Sequence, residues 1–224
     1  MLRRLRQLGA FLLDLVYPPV CVLCGEYSQG ELLCPACRRS SELLRSTGDQ
    51  EMMTLHQNPD LDFLLAPFEY AGDLKPLLFS LKEHSDRRGV AFLAEEIASA
   101  FADSGLTADA VTCMPMSRRK LRKRGFNHAE LLGRAVAKQL DLPFWAGLLA
   151  MDSAAATQHH LSREERQKNA RKNITFGAGQ VEGSTLLLID DICTTGSSLS
   201  AASRVLKDRG AVRIIAAAAA ITVE

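Results

Sequence analysis

Two groups of residues in this 224-residue sequence have the types and spacing to do chemistry. The first is Leu186 to Ser198, reading LLLIDDICTTGSS. Free backbone N–H groups at a helix start, Gly196 and the hydroxyls of Thr194, Thr195, Ser197 and Ser198 suit a phosphate monoester. Adjacent carboxylates at Asp190 and Asp191 would repel a second phosphate; they suit neighbouring hydroxyls, as on a ribose, or a metal ion. A phosphate one ribose-length from a pair of hydroxyl acceptors describes a 5-phosphoribosyl group. A Walker B strand would also end in acids, but no G-x-x-x-x-G-K-[ST] occurs in the chain. An aspartyl phosphatase wants a carboxylate two residues past its nucleophile, and those places hold Ile192 and Cys193. Helix capping alone would use only one of the two acids well.

The second group is four thiols, Cys21-x-x-Cys24 and Cys34-x-x-Cys37, with nine residues between the pairs. This is the spacing of a tetrahedral zinc site whose ligands all come from protein, so its role is structural. Gly25 and Pro35 assist the turns. Two disulfides would need an oxidising compartment, and a redox C-x-x-C would explain one pair and not both. A segment this short has no core of its own and folds around its metal.

The stretch around Asp190 and Asp191 resembles the phosphoribosyl-pyrophosphate (PRPP) fingerprint of type I phosphoribosyltransferases, with Cys193 where an aliphatic residue is more usual. A third feature extends the resemblance. Met114-Pro115-Met116-Ser117 follows a strand-like run, and Arg118 to Arg124 then puts six positive charges into seven residues before Gly125. So many like charges should form a mobile loop at the mouth of the site. A pyrophosphate would order it through direct Arg and Lys pairing; a solvated basic face and a nucleic-acid patch are the other readings of the charge. Pro115 with Arg118, the Arg124-Gly125-Phe126-Asn127 run, and Gln158, Leu161, Ser162, Glu165, Arg166 and Asn169 look like the ComF/GntX family. His128 stands where that family more often has Gln.

That family couples an N-terminal four-cysteine zinc finger to a type I phosphoribosyltransferase domain, and its members are linked to competence, DNA uptake and the use of external DNA. The resemblance implies a phosphoribosyltransferase of unidentified acceptor, PRPP held with magnesium, and pyrophosphate received by Pro115, Met116, Ser117, Arg118, Arg122 and Arg124. It leaves a non-catalytic PRPP or nucleotide sensor and an adaptor for single-stranded DNA as alternatives. A DNA-uptake or recombination protein and a second copy of the chain are further partners to consider. No side chain stands out as a general base.

The elements that must position these groups follow from pattern. Leu186 to Ile189 reads as a buried parallel strand, and Leu199 to Arg209 as a helix stopped by Gly210. Other strands are expected at Leu61–Tyr70 (with Pro67 marking an edge or bulge), Asp109–Cys113, Phe144–Met151, Asn173–Phe176 and Ala211–Val223. Ala216 to Ala220 are less bulky than a closing core strand would want. Helices are expected at Ala71–Leu81, Val90–Phe101, Asn127–Leu140 and within Thr157–Lys172, where Gln158 and Arg166 could line the acceptor side. Arg38–Pro59 reads as a helix fragment and linker. At the N-terminus, Leu2, Leu5, Leu8, Leu12, Leu15 and Val16 oppose arginines, and Asp14 breaks what would be a signal-peptide core; a docking helix in a cytoplasmic protein is expected. With 47% hydrophobic residues, a net charge of +1 and no apolar run of transmembrane length, the chain shows no general affinity for nucleic acid or membrane. The expected architecture is an α/β type I phosphoribosyltransferase-like parallel sheet flanked by helices behind a small zinc-ribbon-like module. Its divisions fall at 1–17, 18–50 and 51–224.

Overall fold

Apolar runs as continuous as Leu186–Ile189 and Ile214–Ile221 are stable only where both faces of a strand are covered, and a parallel sheet between helix layers provides that. The computed structural model describes residues 19–40, 43–84, 87–151 and 173–223. The docking helix expected over 1–17, and Gln158, His159, His160 and Arg166 with their expected helix, lie outside the described residues.

In chain order the elements are α1 (Pro35–Ser40), α2 (Asp49–Gln57), β1 (Phe63–Leu65), β2 (Phe68–Glu69), α3 (Leu74–His84), α4 (Arg87–Asp103), β3 (Ala110–Cys113) and α5 (Arg118–Arg124). Then come α6 (His128–Gln139), β4 (Leu149–Met151), β5 (Ile174–Phe176), β6 (Thr185–Cys193), α7 (Ser197–Lys207) and β7 (Arg213–Ile221). β1, β7, β6 and β3 pair in that order, all parallel, and β2 extends the β1 side of β7. β4 and β5 make a separate antiparallel pair.

Strand alternation divides the core. On one face Leu187, Ile189, Ile215 and Ala217 meet Leu77 of α3, Leu93 and Ile97 of α4 and Leu132 of α6. On the other, Leu186, Leu188, Ala216 and Ala218 meet Leu199, Ala202 and Leu206 of α7, with Leu149 of β4 and Ile174 of β5. The alanine run is nonetheless a core strand. β7 lies between β1 and β6, and its methyl groups leave room for the Leu, Ile and Phe side chains that descend from the helices.

Several expected boundaries move for local reasons. Leu61–Tyr70 is broken at Ala66-Pro67, because Pro67 has no N–H to give the ladder, and both halves stay in register on β7. The segment before α2 covers this edge: Glu69 donates to Leu44 O and Ser46 to Pro67 O. Phe144–Met151 is also split. Phe144 bridges Val111 at the outer side of β3, Gly147 turns at φ 73°, and only Leu149–Met151 pairs with β5. The basic run is a helix rather than the mobile loop expected. The Ser117 hydroxyl accepts from Lys120 N–H at one end, and Gly125, at φ 82°, donates to Leu121 O at the other. None of its residues is buried: residues 118–123 are exposed and Arg124 is half-buried, and Arg122, Lys123 and Arg124 sit at the negative end of the helix.

Enlarging a β7 methyl tests this packing. Ala217→Leu has no space between β7 and α4, and urea unfolding should show a loss of about 1–3 kcal/mol with little change in the slope.

Candidate phosphoribosyl site and zinc ribbon

β3 and β6 pair through Cys113 and Ile189, and Met114 N–H donates to Ile189 O, so the segments that follow the two strands emerge side by side. Asn127 fixes the first exit: its Nδ2 donates to Met114 O at 3.0 Å while its Oδ1 caps α6 by accepting from Ala129 N–H. Pro115, Met116 and Ser117 are half-buried there, and α5 begins at once. Arg124 joins Arg119, Lys120 and Lys123 around a hollow of about 490 Å³. Arg118 and Arg122 form a separate i, i+4 row, exposed to solvent.

The second exit carries the acids. β6 runs on through Asp190 and Asp191 to Cys193. Neighbouring residues on a strand point to opposite faces. Asp191, 8% exposed, lies on the α6 side with His128 Nε2 3.2 Å from its Oδ2. Asp190 is half-buried and shares parity with Leu186 and Leu188. Each carboxylate also accepts from the next backbone N–H, Asp191 to Asp190 Oδ1 and Ile192 to Asp191 Oδ1, both at 2.9 Å. The acids thus straddle the end of the sheet instead of standing side by side.

Thr194 and Thr195 are exposed, Gly196 is buried, and Ser197 and Ser198 are half-buried. Gly196 takes the left-handed conformation at φ 69° and opens α7 without a side-chain cap. The first amides of this eleven-residue helix therefore have no intrahelical acceptor. The Thr195 and Ser197 hydroxyls bond each other at 2.8 Å on the open side. The structure brings Asp190, Asp191, the 194–198 turn and the 115–118 segment to one end of the sheet, leaving Arg118 and Arg122 on its rim.

Reading 38–59 as fragment and linker missed residues that act here. Asn58, 6% exposed, donates through Nδ2 to both Thr54 O and Thr195 O at 2.8 Å. Asp60 accepts from Ser200 Oγ at 3.0 Å and from the Arg204 guanidinium at 2.7 Å, and Asp62 accepts from Ile214 N–H and Lys207. Buried Glu51 accepts from Ser46 Oγ at 2.7 Å. Asn58-Pro59 was the one local signal, and it announced a turn rather than a partner. Neither remaining cysteine is a ready nucleophile: burial first, then the Glu130 and Asp190 charges, pushes Cys113 up to about 12. Burial, then the Asp190 charge, does the same to Cys193.

The four ligand-spaced cysteines are free thiols whose sulfurs lie within 4.8 Å of one another. Cys24 and Cys34 Sγ are 3.7 Å apart. A tetrahedral zinc about 2.3 Å from each ligand sets sulfurs about 3.8 Å apart, so the cluster fits the ion. Crowding makes the fit electrostatic too. Burial opposes ionisation of Cys21, but the N–H groups of Cys24, Cys34 and Leu23 outweigh it and bring that thiol down to about 6. Cys37 is pushed up to about 12 by the neighbouring Cys24 thiol and then by burial. All four can be thiolates only around a cation. The module is fused to the sheet domain, because Leu32, Leu33 and Cys34 enter the α3–α4 core and Arg88 Nη1 donates to Glu31 O, Val20 O and Ser28 Oγ. A hollow of about 760 Å³ between Val20, Cys21, Tyr70, Phe79 and Arg88 lies along this seam, away from the acids. Among the described residues no helix is long and apolar enough to cross a membrane.

Comparison with known proteins agrees with both halves. Residues 127–221 match the phosphoribosyl transferase domain and residues 12–47 the double zinc ribbon domain. The DNA utilization protein YhgH of Escherichia coli K12 is 27% identical over 202 residues, covering 87% of each chain. Competence protein ComFC of Bacillus subtilis is 26% identical over 194 residues, covering 85% of this chain and 72% of its own. Competence protein F of Haemophilus influenzae is 28% identical over 108 residues, 47% of each chain. The parallel sheet with its flanking helices is the type I phosphoribosyltransferase fold, and the four cysteines are a structural zinc site.

Two outcomes follow. Cys34→Ser should lower bound zinc from about one ion per chain, read by atomic emission, and reduce the urea midpoint with it. The Arg204 hydrogen bond holds the Asp60 carboxyl below the usual carboxylate range, so its stabilisation is full at neutral pH and lost on acidification past that range. Asp60→Asn should accordingly melt below the parent at pH 7, with the gap closing in acid.

Proposed function

The chain belongs to the ComF family, a phosphoribosyltransferase-type domain behind a four-cysteine zinc ribbon, and from that premise we propose that the end of its sheet binds PRPP with magnesium and transfers the phosphoribosyl group. The observation that carries this reading is the left-handed Gly196 turn, which opens the α7 amides next to Asp190 and Asp191 inside the matched residues. The 5′-phosphate takes the amides and hydroxyls of Thr194 to Ser198, which fixes the sugar. Asp190, half-buried, accepts from the ribose hydroxyls; Asp191, enclosed beside His128, adds negative potential beneath the ring as pyrophosphate departs and positive charge grows there. Pro115, Met116 and Ser117 line the pyrophosphate side, and Arg118, Arg122 and Arg124 draw in its charge from the rim.

Magnesium fits this donor set, whose carboxylates are hard oxygen ligands, and when bound the ion would neutralise charge on the leaving group. Water is excluded only if the basic helix swings toward the acids once phosphate is bound. The relatives' names connect the reaction with DNA utilization and competence, and a nucleobase is the acceptor class to try first.

α5 favours a second reading. Six cations on a helix with no buried residue would hold the backbone of single-stranded DNA equally well. Calorimetry separates the two. Asp190→Asn should weaken Mg–PRPP binding at least about tenfold, at an unchanged melting temperature. It should leave salt-dependent DNA binding intact. Pyrophosphate release on adding a base marks the transferase, and binding without release marks a sensor. Absence of PRPP binding in the parent protein defeats both.

A further inference from the structure

The glycine turn is not shaped by its own residues alone. At its centre is the trans peptide between Thr195 and Gly196, whose C=O and N–H point in opposite directions. The carbonyl is taken from one side by the Asn58 carboxamide, 137 residues earlier in the chain. α2 lies flat on this peptide. A Cβ placed on Gly196 would come 2.6 Å from Thr54 Cγ2 and 2.8 Å from Asn58 Nδ2. Asn58 is itself immobile, since its amide also donates to Thr54 O, and the next residues are bound along α7 through Asp60. Asn58 lies outside both matched segments, 12–47 and 127–221.

We propose that the Asn58 carboxamide is a positioning group that clamps the Thr195–Gly196 peptide through its carbonyl and so holds the Ser197 and Ser198 amides ready for a sugar phosphate. This rests on the phosphoribosyl reading of the turn. The clamp occupies the Thr195 carbonyl. The phosphate is left to the helix amides beyond Gly196 and to the hydroxyls on the open side, where Thr195 and Ser197 already bond each other. Its benefit is entropic, because a turn fixed before the ligand arrives loses little freedom on binding.

The test uses the full-length, zinc-loaded protein and the variant Asn58→Ala. Two probes are titrated: ribose 5-phosphate, which reports the turn, and inorganic pyrophosphate, which reports the basic side. Asn58→Ala should weaken ribose 5-phosphate about tenfold and leave pyrophosphate unchanged. Equal weakening of both probes, or unchanged ribose 5-phosphate affinity, overturns the proposal. Hydrogen exchange in the ligand-free protein reads the clamp independently: residues 193–199 should exchange about tenfold faster in the variant while α6 stays protected. If the parent binds neither probe, the phosphoribosyl reading is at fault and exchange alone decides; an unchanged turn overturns the clamp. Asn58→Ser, smaller in effect but still polar, replaces Asn58→Ala if the latter does not fold.

Discussion

A parallel strand with helices over both faces can place charge in only one region, its end. β6 obeys this constraint closely: Leu186, Leu187, Leu188 and Ile189 are fully buried, and the first carboxylate comes directly after them. An ionised group one or two residues earlier would face helix side chains and pay the full cost of lost hydration. The rest of the chain can be understood as covering that strand while leaving its last residues reachable. The alanines of β7 bring the helices close on both sides, β3 supplies the other flank, and the two strand exits deliver an acidic site and a basic helix to the same rim.

Much of this was legible in the sequence because its signals are local. LLLIDDICTTGSS contains strand, turn and helix start within thirteen residues, and the cysteine pairs are a spacing pattern that needs no tertiary context. The features that escaped are those set by distant partners. Nothing near Asn58 indicates that its amide will meet the carbonyl of Thr195, and nothing near Asp60 points to Ser200 and Arg204. The basic run was misjudged differently. Repulsion among its charges was counted, while the caps at Ser117 and Gly125, which close a helix of only seven residues, were not. Likewise Ala216 to Ala220 look too small for a core strand in sequence alone; between β1 and β6 the covering helices provide the bulk.

The division of labour along the chain is uneven. The two matched segments contain the thiols, the acids and the glycine turn. The stretch between them contributes α2 behind the turn, β3 beside the acids and α5 at the rim. The acids and the turn thus come from one stretch and several of the groups that fix their geometry from another. Strand pairing and the Asp60 and Asp62 contacts join the two.

Arg88 has a wider consequence. By binding Glu31, Val20 and Ser28 at once, it makes the cysteine loops a wall of the main interior, not an appendage. A molecule stripped of its ion would bare Leu32 and Leu33 together with the helical surface they cover. Metal supply would then govern how long the whole polypeptide survives, including the distant end of the sheet that never touches a thiolate.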